Sequence, residues 1–331
     1  MRALVVKMSS LGDVIHTLPA LTDAAAALPG IQFDWVVEEA FAEIPAWHSA
    51  VDRVIPVALR RWRKRPLRDF TGPQWRAARA SLRERKYDAV IDAQGLLKSA
   101  LISRLVKAPR YGMDKATVRE RLAALAYDHP VHVARDMHAV ERSRLLFARA
   151  LAYPVPDGPG NYGIANTAAP AGAKCSQRLL FFHGSARREK LWPEEHWVAL
   201  AGLAGEAGYR VWLPWGNEEE QQRAVRIAGL AKAAEVLPRQ SLRELAAMLQ
   251  TVSGAVAVDT GLGHLSAVFA VPTVSLYGPT STRLIGTYGR NQLHLPSPLL
   301  GGAVTEPAAL MQAIAPAAVW QALQTVIAGR E

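Results

Sequence analysis

The stretch Asp259-Thr260-Gly261-Leu262-Gly263-His264 has the residue types of an anion-binding turn. The apolar run Ala255 to Val258 leads into it, and Leu265 to Ala270, which fits one face of a helix, leads out. That reads as strand, tight turn, helix. Unpaired N–H groups and the positive end of the dipole gather at such a helix start, and phosphate is the commonest biological anion to meet them. Gly261 and Gly263 let a ligand approach the backbone closely. The same residues equally describe an ordinary turn with Asp259 as the helix cap.

Three other places have chemistry to offer. Asp13 follows the small polar loop Met8-Ser9-Ser10-Leu11-Gly12 at the start of a helical pattern. A carboxylate there is held ionised by the dipole, so it can accept a proton and is poorly placed to donate one; it can also simply cap its helix, beside Ser9 and Ser10. Lys190 ends the polar, cationic loop that begins at Gly184, as either a point charge for an anion or a solvated lysine. The run Arg60-Arg61-Trp62-Arg63-Lys64-Arg65-Pro66-Leu67-Arg68 reads as a phosphate- or carboxylate-binding arm, with Trp62 free to lie on a sugar or lipid surface. Lys115, Arg119 and Arg121 add cations further on.

The elements that position these residues alternate between strand and helix. Arg2 to Lys7 is a continuous apolar strand of the kind buried in a parallel sheet, followed by a helix from Asp13 to Leu28. Strands follow at 31–37, 51–57 and 87–92, then helices over 96–106 and 139–151. Tyr153 to Gln177, rich in Pro, Gly, Ala and Asn, reads as a linker. A second alternation then starts: strands at 178–183 and 209–214, helices from Trp192-Pro193 and over 218–230, a capping box at Ser241–Glu244, and a strand at 273–277. The tail from Ala308 to Ala328 is helical and interrupted at Pro316. The fold class is therefore α/β, with two doubly wound Rossmann-like halves. The loops Ser9–Asp13, Gly184–Lys190, Trp215–Glu220 and Asp259–His264 follow strand ends and are expected to converge on a central cleft.

The length of 331 residues fits two domains, and half the chain is hydrophobic. No apolar run is long enough to span a bilayer, and the N-terminus reads as a strand rather than a signal peptide. The single cysteine, Cys175, allows no internal disulfide, which fits the cytoplasm. The nine histidines show no HExxH pattern, and His129, His132 and His138 read as surface and helix-end residues rather than a metal site. The net charge of +10 implies an acidic partner: nucleic acid, an anionic membrane face or a polyanionic substrate. No zinc-finger or RRM signature supports nucleic acid.

At Lys7–Pro19, the Arg60–Lys64 arm, Lys190-Leu191-Trp192-Pro193-Glu194-Glu195-His196-Trp197 and Asp259–His264, the sequence closely resembles the lipopolysaccharide heptosyltransferase I family. These are inverting glycosyltransferases of the GT-B fold, and the likeness runs from Met1 to about Arg290. The resemblance implies an ADP-L-glycero-β-D-manno-heptose donor and a Kdo2-lipid A acceptor at the cytoplasmic face of the inner membrane. It implies an acceptor-binding domain at 1–155, a linker at 156–177, a donor-binding domain at 178–315, and a closing helix at 316–331 that packs back on the first domain. It makes Asp13 the catalytic base and sets Lys190 on the donor phosphates. Ser185, Ala186, Glu220, Gln240, Asp259, Thr260, Gly261, Leu262 and His264 would complete the donor site, with Glu220 on the ribose. Lys7, Ser10, Gly12, Arg60, Arg61, Arg63, Lys64, Arg119 and His138 would bind the acceptor. The chain departs from the family pattern at Ala186, where a second hydroxyl is usual, and at Gln240, where an apolar neighbour of the adenine is expected.

Transfer from a sugar diphosphate needs a base, positive charge at the leaving group and exclusion of water. No metal and no cofactor is required, no DxD-type pair is placed for one, and a monomer that binds no nucleic acid is expected. Three alternatives remain at this point: a heptosyltransferase II-type enzyme adding the second core heptose, a non-catalytic polyanion-binding protein, and a nucleotide-sugar epimerase or Rossmann dehydrogenase. The first βα turn has no GxGxxG, which counts against a dehydrogenase.

Overall fold

The computed structural model describes residues 1–64, 68, 72–164, 176–304 and 306–329. The chain forms two compact units, Met1–Ala165 and Asn166–Glu331. In the first, β1 (Arg2–Val6), β2 (Gln32–Glu38), β3 (Val51–Val57), β4 (Ala89–Asp92), β5 (Arg110–Met113) and β6 (His129–Val131) make one sheet in the order β3-β2-β1-β4-β5-β6. In the second, β7 (Ser176–Phe182), β8 (Arg210–Leu213), β9 (Ala234–Val236), β10 (Val252–Val258), β11 (Thr273–Tyr277) and β12 (Gln292–Pro296) run β12-β11-β10-β7-β8-β9. Every strand pair is parallel. Both orders are that of a doubly wound Rossmann sheet. Each places a topological switch point between its first and fourth strands, where ligands of open α/β sheets bind.

The central strands are buried on both faces, as their unbroken apolar runs require: Ala3 to Val6 and Ala255 to Val258 have no exposed surface. In the first unit Trp35 is fully buried, and its indole N–H donates to the Lys7 carbonyl at 2.9 Å, fixing the end of β1. Asp34, also fully buried, takes Arg2 at 3.0 Å, Arg53 at 2.8 Å, Arg85 at 3.1 Å and the Tyr87 hydroxyl at 2.7 Å. In the second unit Trp192 and Trp197 meet edge to face at 4.9 Å in the core, so the tryptophans of the Lys190–Trp197 motif are packing residues.

Several expectations need correcting. The helix expected from Asp13 to Leu28 is two, Leu11–Ile15 and Leu18–Ala27, because Pro19 in the first turn of the second cannot extend the hydrogen-bond ladder of the first. Residues 156–164, expected in the linker, belong to the first unit: the buried Arg144 donates to the carbonyls of Pro156 at 3.1 Å and Gly158 at 2.8 Å, while bonding Asp23 at 2.6 Å. Residues 165–175, with Cys175, lie outside the described residues, and 176–177, also expected in the linker, begin β7. The closing helix Pro316–Ala328, expected to return to the first domain, packs in the second unit on the helix Glu194–Glu206 and on β10, β11 and β12. Its Val319 and Leu323 enter that core.

Candidate active site

In the first unit, the loop leaving β1 at the switch point leads into the short helix that carries Asp13. Ser10 caps the helix Leu11–Ile15, and Asp13 reaches back from the third helical position. The Ser10 N–H and hydroxyl both donate to Asp13 Oδ2 at 2.9 Å, while Lys7 Nζ stands 3.8 Å from Oδ1. One carboxylate oxygen therefore caps and the other faces a cation. Burial works to raise the Asp13 pKa, but Lys7, the two Ser10 bonds and the charge of Arg119 outweigh it and hold the carboxyl below its usual range. Lys7 also donates to the Ala93 carbonyl at 3.0 Å, which ties β1 to the turn after β4.

That turn is a second set of supports that the sequence reading did not identify. Gln94 is buried; its amide oxygen accepts from Met8 N–H at 2.6 Å and its NH2 donates to the Ser9 carbonyl at 3.0 Å. Asp92 accepts from the N–H groups of Gln94 at 2.9 Å and Gly95 at 3.1 Å and from the Tyr127 hydroxyl at 2.8 Å. The loop before Asp13 is thus held by side chains more than eighty positions away, and the only trace in the sequence is a Gln-Gly pair closing an apolar strand.

The basic arm divides. Trp62, expected on a ligand surface, is buried against Trp75 at 5.7 Å in the core. Arg61 is engaged by Glu39 through two bonds of 3.0 and 3.2 Å. Arg60 lies over the Phe41 ring at 5.6 Å and its N–H donates to Glu38. Arg63 and Lys64 are exposed, whereas 65–67 fall outside the described residues and the structure says nothing of that part of the arm. Lys98, missed from the sequence, joins this corner: burial lowers its pKa, Glu38 opposes that, and Arg60 and Arg63 lower it further. Its signal was a cation in the first turn of a helix, where the dipole disfavours one. Gly12 is buried in its helix. His138 caps the helix Ala139–Leu151 by accepting from the Val140 N–H at 3.2 Å, and its ring meets His16 edge-on at 5.2 Å, three residues past Asp13.

In the second unit, the switch point brings the loops after β7 and β10 together. Lys190 Nζ donates to Asp259 Oδ2 at 2.5 Å, with both side chains largely buried at 13% and 8% exposure. Lys190 is therefore not a solvated lysine. Asp259 does not cap the next helix; Thr260 holds that position, and Gly261–Val268 follows with its first N–H groups beside the pair. Ser185 Oγ donates to the Asp259 carbonyl at 3.2 Å. Ser185, Ala186 and Glu220 line one cavity of about 120 Å³ together with Arg188, Asn217 and Arg223. Glu220 accepts from the Gly216 N–H at 2.7 Å, and Gly184 lies so near that an added Cβ would come within 2.6 Å of the carboxyl. A side chain at 184 would displace Glu220. His264 is buried within the same helix. Gln240 bonds the Pro238 carbonyl at 3.0 Å and does not line the cavity. Among the described residues, no three His, Cys, Asp or Glu side chains converge as metal ligands.

Residues 75–301 match the glycosyltransferase family 9 (heptosyltransferase) model. The chain is 54% identical to lipopolysaccharide heptosyltransferase 1 of Pseudomonas aeruginosa over 298 residues, 90% of this chain and 84% of that protein. It is 26% identical to lipopolysaccharide heptosyltransferase 2 of Escherichia coli over 231 residues, 61% of this chain and 62% of that one. Among solved structures, E. coli heptosyltransferase WaaC with ADP matches at a TM-score of 0.89 and 47% identity, covering 98% of this chain and all of that one. The same enzyme with ADP-2-deoxy-2-fluoro heptose matches at 0.86 and 46%, covering 98% and 99%. The two parallel six-stranded sheets are those of a GT-B-like α/β protein, as expected from the sequence. The chain belongs to glycosyltransferase family 9, the heptosyltransferases.

Proposed function

We propose that this protein is an inverting transferase that moves L-glycero-D-manno-heptose from ADP-heptose to the Kdo2-lipid A inner core of lipopolysaccharide, at the cytoplasmic face of the inner membrane. One observation carries the chemical part: an ionised carboxylate, Asp13, standing at the switch point of the first sheet with one oxygen turned to Lys7. The likeness to proteins named heptosyltransferase 1, about twice as identical as that to a heptosyltransferase 2, supports the first core heptose over the second.

In this reading the acceptor hydroxyl oxygen attacks the anomeric carbon of the donor heptose. The bond from that carbon to the diphosphate breaks, the hydroxyl proton passes to Asp13, and ADP leaves. Lys190 and the N–H groups at Thr260–Gly261 meet the charge that develops on the diphosphate. Glu220, fixed by the Gly216 N–H, takes the ribose hydroxyls. Arg60, Arg63, Lys64 and Arg119, with the added Lys98, receive the anionic acceptor.

The test is a mass-resolved transfer assay with ADP-heptose and acceptors with and without the first heptose. Asp13→Asn preserves the bonds to Ser10 through its amide oxygen but cannot take the proton. It should keep the parent's melting temperature and donor affinity and lose roughly 10²–10⁴ in kcat. Turnover within a few-fold of the parent removes Asp13 as base, and transfer only to the heptose-bearing acceptor selects the second-heptose reading.

A further inference from the structure

Large apolar side chains are most exposed at one place in the first unit. Leu97 and Leu101 on the helix Leu97–Ser103 are 44% and 66% exposed, and Leu122 and Leu125 on the 3-10 helix Arg121–Ala126 are 63% and 74% exposed. Leu97 and Leu101 are one helical turn apart, and Leu122 and Leu125 are one 3-10 turn apart, so each pair shares a face. The two helices pack on one another, and the Leu97 N–H donates to Glu120 Oε2 at 2.6 Å, which brings their beginnings together. Two exposed leucine pairs thereby stand on two helices that pack together. By contrast, the exposed Val225 and Leu230 of the second unit lie on different faces of a helix that opens with three acids.

The rim of this surface is basic. Arg104 follows Leu97 and Leu101 on the same helical face and Arg121 opens the 3-10 helix; both are exposed. Residues 97–128 hold seven Lys and Arg against three acids. Two of those acids are already engaged, Asp128 by Arg110 at 2.7 Å and Asp114 by Thr117 and His132. No helix among the described residues is long and apolar enough to cross a membrane. An apolar face of this size with a cationic border matches the boundary of an anionic bilayer, where hydrocarbon lies beneath negative headgroups. An acidic protein surface without an apolar patch of its own would satisfy the cations but leave the leucines without a partner.

We propose that the leucine face made by 97–103 and 121–126 seats this protein on an anionic phospholipid bilayer. The proposal deepens the acceptor reading above, on which it rests for its purpose. Arg119 and Glu120 join this surface to the corner that holds Asp13, since Arg119 is close enough to help keep that carboxylate ionised. A lipid-anchored acceptor in the same bilayer would then reach the base without leaving the membrane.

The test is co-sedimentation of the full chain with vesicles of phosphatidylglycerol and phosphatidylethanolamine, compared with phosphatidylcholine alone. The triple variant Leu101→Gln, Leu122→Gln, Leu125→Gln changes no charge and disturbs no core residue. It should keep the parent's melting temperature and bind the anionic vesicles about tenfold more weakly, since binding scales with the apolar area inserted. Arg104→Gln with Arg121→Gln should weaken binding at low salt and converge on the parent at high salt. Turnover on a deacylated, water-soluble acceptor should be unchanged in the triple variant. This arm of the proposal fails if the triple variant sediments with vesicles as the parent does, if it alters the solution mass instead, which would make the face a contact between copies, or if it loses turnover on the soluble acceptor. The vesicle measurement uses neither donor nor acceptor, so it reads the surface even where the transferase assay gives nothing.

Discussion

Replacing Lys7 by Met should shift the acid limb of the kcat/KM profile upward. Lys7 Nζ lies 3.8 Å from Asp13 Oδ1, and its side chain is 12% exposed. Two unit charges at that range interact by about 4 kcal/mol at an effective dielectric near 20. The carboxylate is 31% exposed, so solvent screens a large share, leaving roughly 1–2 kcal/mol, or about one pKa unit. The direction follows from the held state. Asp13 has its pKa depressed in the folded protein, so the stabilisation from Lys7 is complete above the ordinary carboxylate range and is lost as the pH falls through the depressed value. Without Lys7 that loss begins at higher pH, and the ionised carboxylate proposed as the base disappears with it. Met retains the length and apolar stem of lysine, while Lys7→Arg keeps the charge and should keep the parent profile. The assay is kcat/KM at saturating ADP-heptose from pH 4 to 9, with melting temperatures to confirm the fold. A limb that stays in place while turnover drops uniformly would refute the electrostatic role and leave Lys7 as an acceptor contact or a tie to Ala93.

Two further outcomes follow from buried pairs. Lys190→Ala removes the cation of the donor side and leaves Asp259 uncompensated; kcat should fall by roughly 10²–10³ with weaker ADP binding by calorimetry. Asp34→Ala strips a fully buried carboxylate from three arginines and Tyr87. It should cost about 3 kcal/mol in urea unfolding, near the low end for a broken buried pair because those arginines, 19–34% exposed, can turn to water.

What the sequence made legible was what depends on neighbours in the chain. Val5 and Val256 announce themselves because central parallel strands are buried on both faces and read as unbroken apolar runs. The strands β5, β6, β9 and β12 were not foreseen; β6, β9 and β12 are edge strands and β5 lies next to one. They are three to five residues long, and Arg110, Pro130, Glu235 and His294 interrupt their apolar pattern, which strands at or beside an edge tolerate. Asp13 and Lys190 were visible as polar residues at strand ends. Their partners were not equally so: Gln94 and Lys98 act on residues far away in the chain, and no local pattern encodes that. Trp62 was misplaced because an aromatic type beside cations suits a core and a ligand surface alike. Thr260 was passed over as cap because Asp and Thr are both good in that role and only backbone geometry says which of two neighbours breaks the helix.

The Lys190–Asp259 contact also bears on how a turnover would end. Before any diphosphate arrives, the lysine already has a partner at 2.5 Å in a largely buried setting. If Lys190 takes the donor diphosphate as proposed, its capture is an exchange of one anion for another, and little new charge is desolvated at the lysine. The exchange also runs backwards. On that proposal Asp259 would reclaim Lys190 once the sugar had gone, and ADP's departure would be met by a replacement bond instead of a bare cation. An internal carboxylate of this kind would limit how tightly the spent nucleotide could hold and so hasten its release.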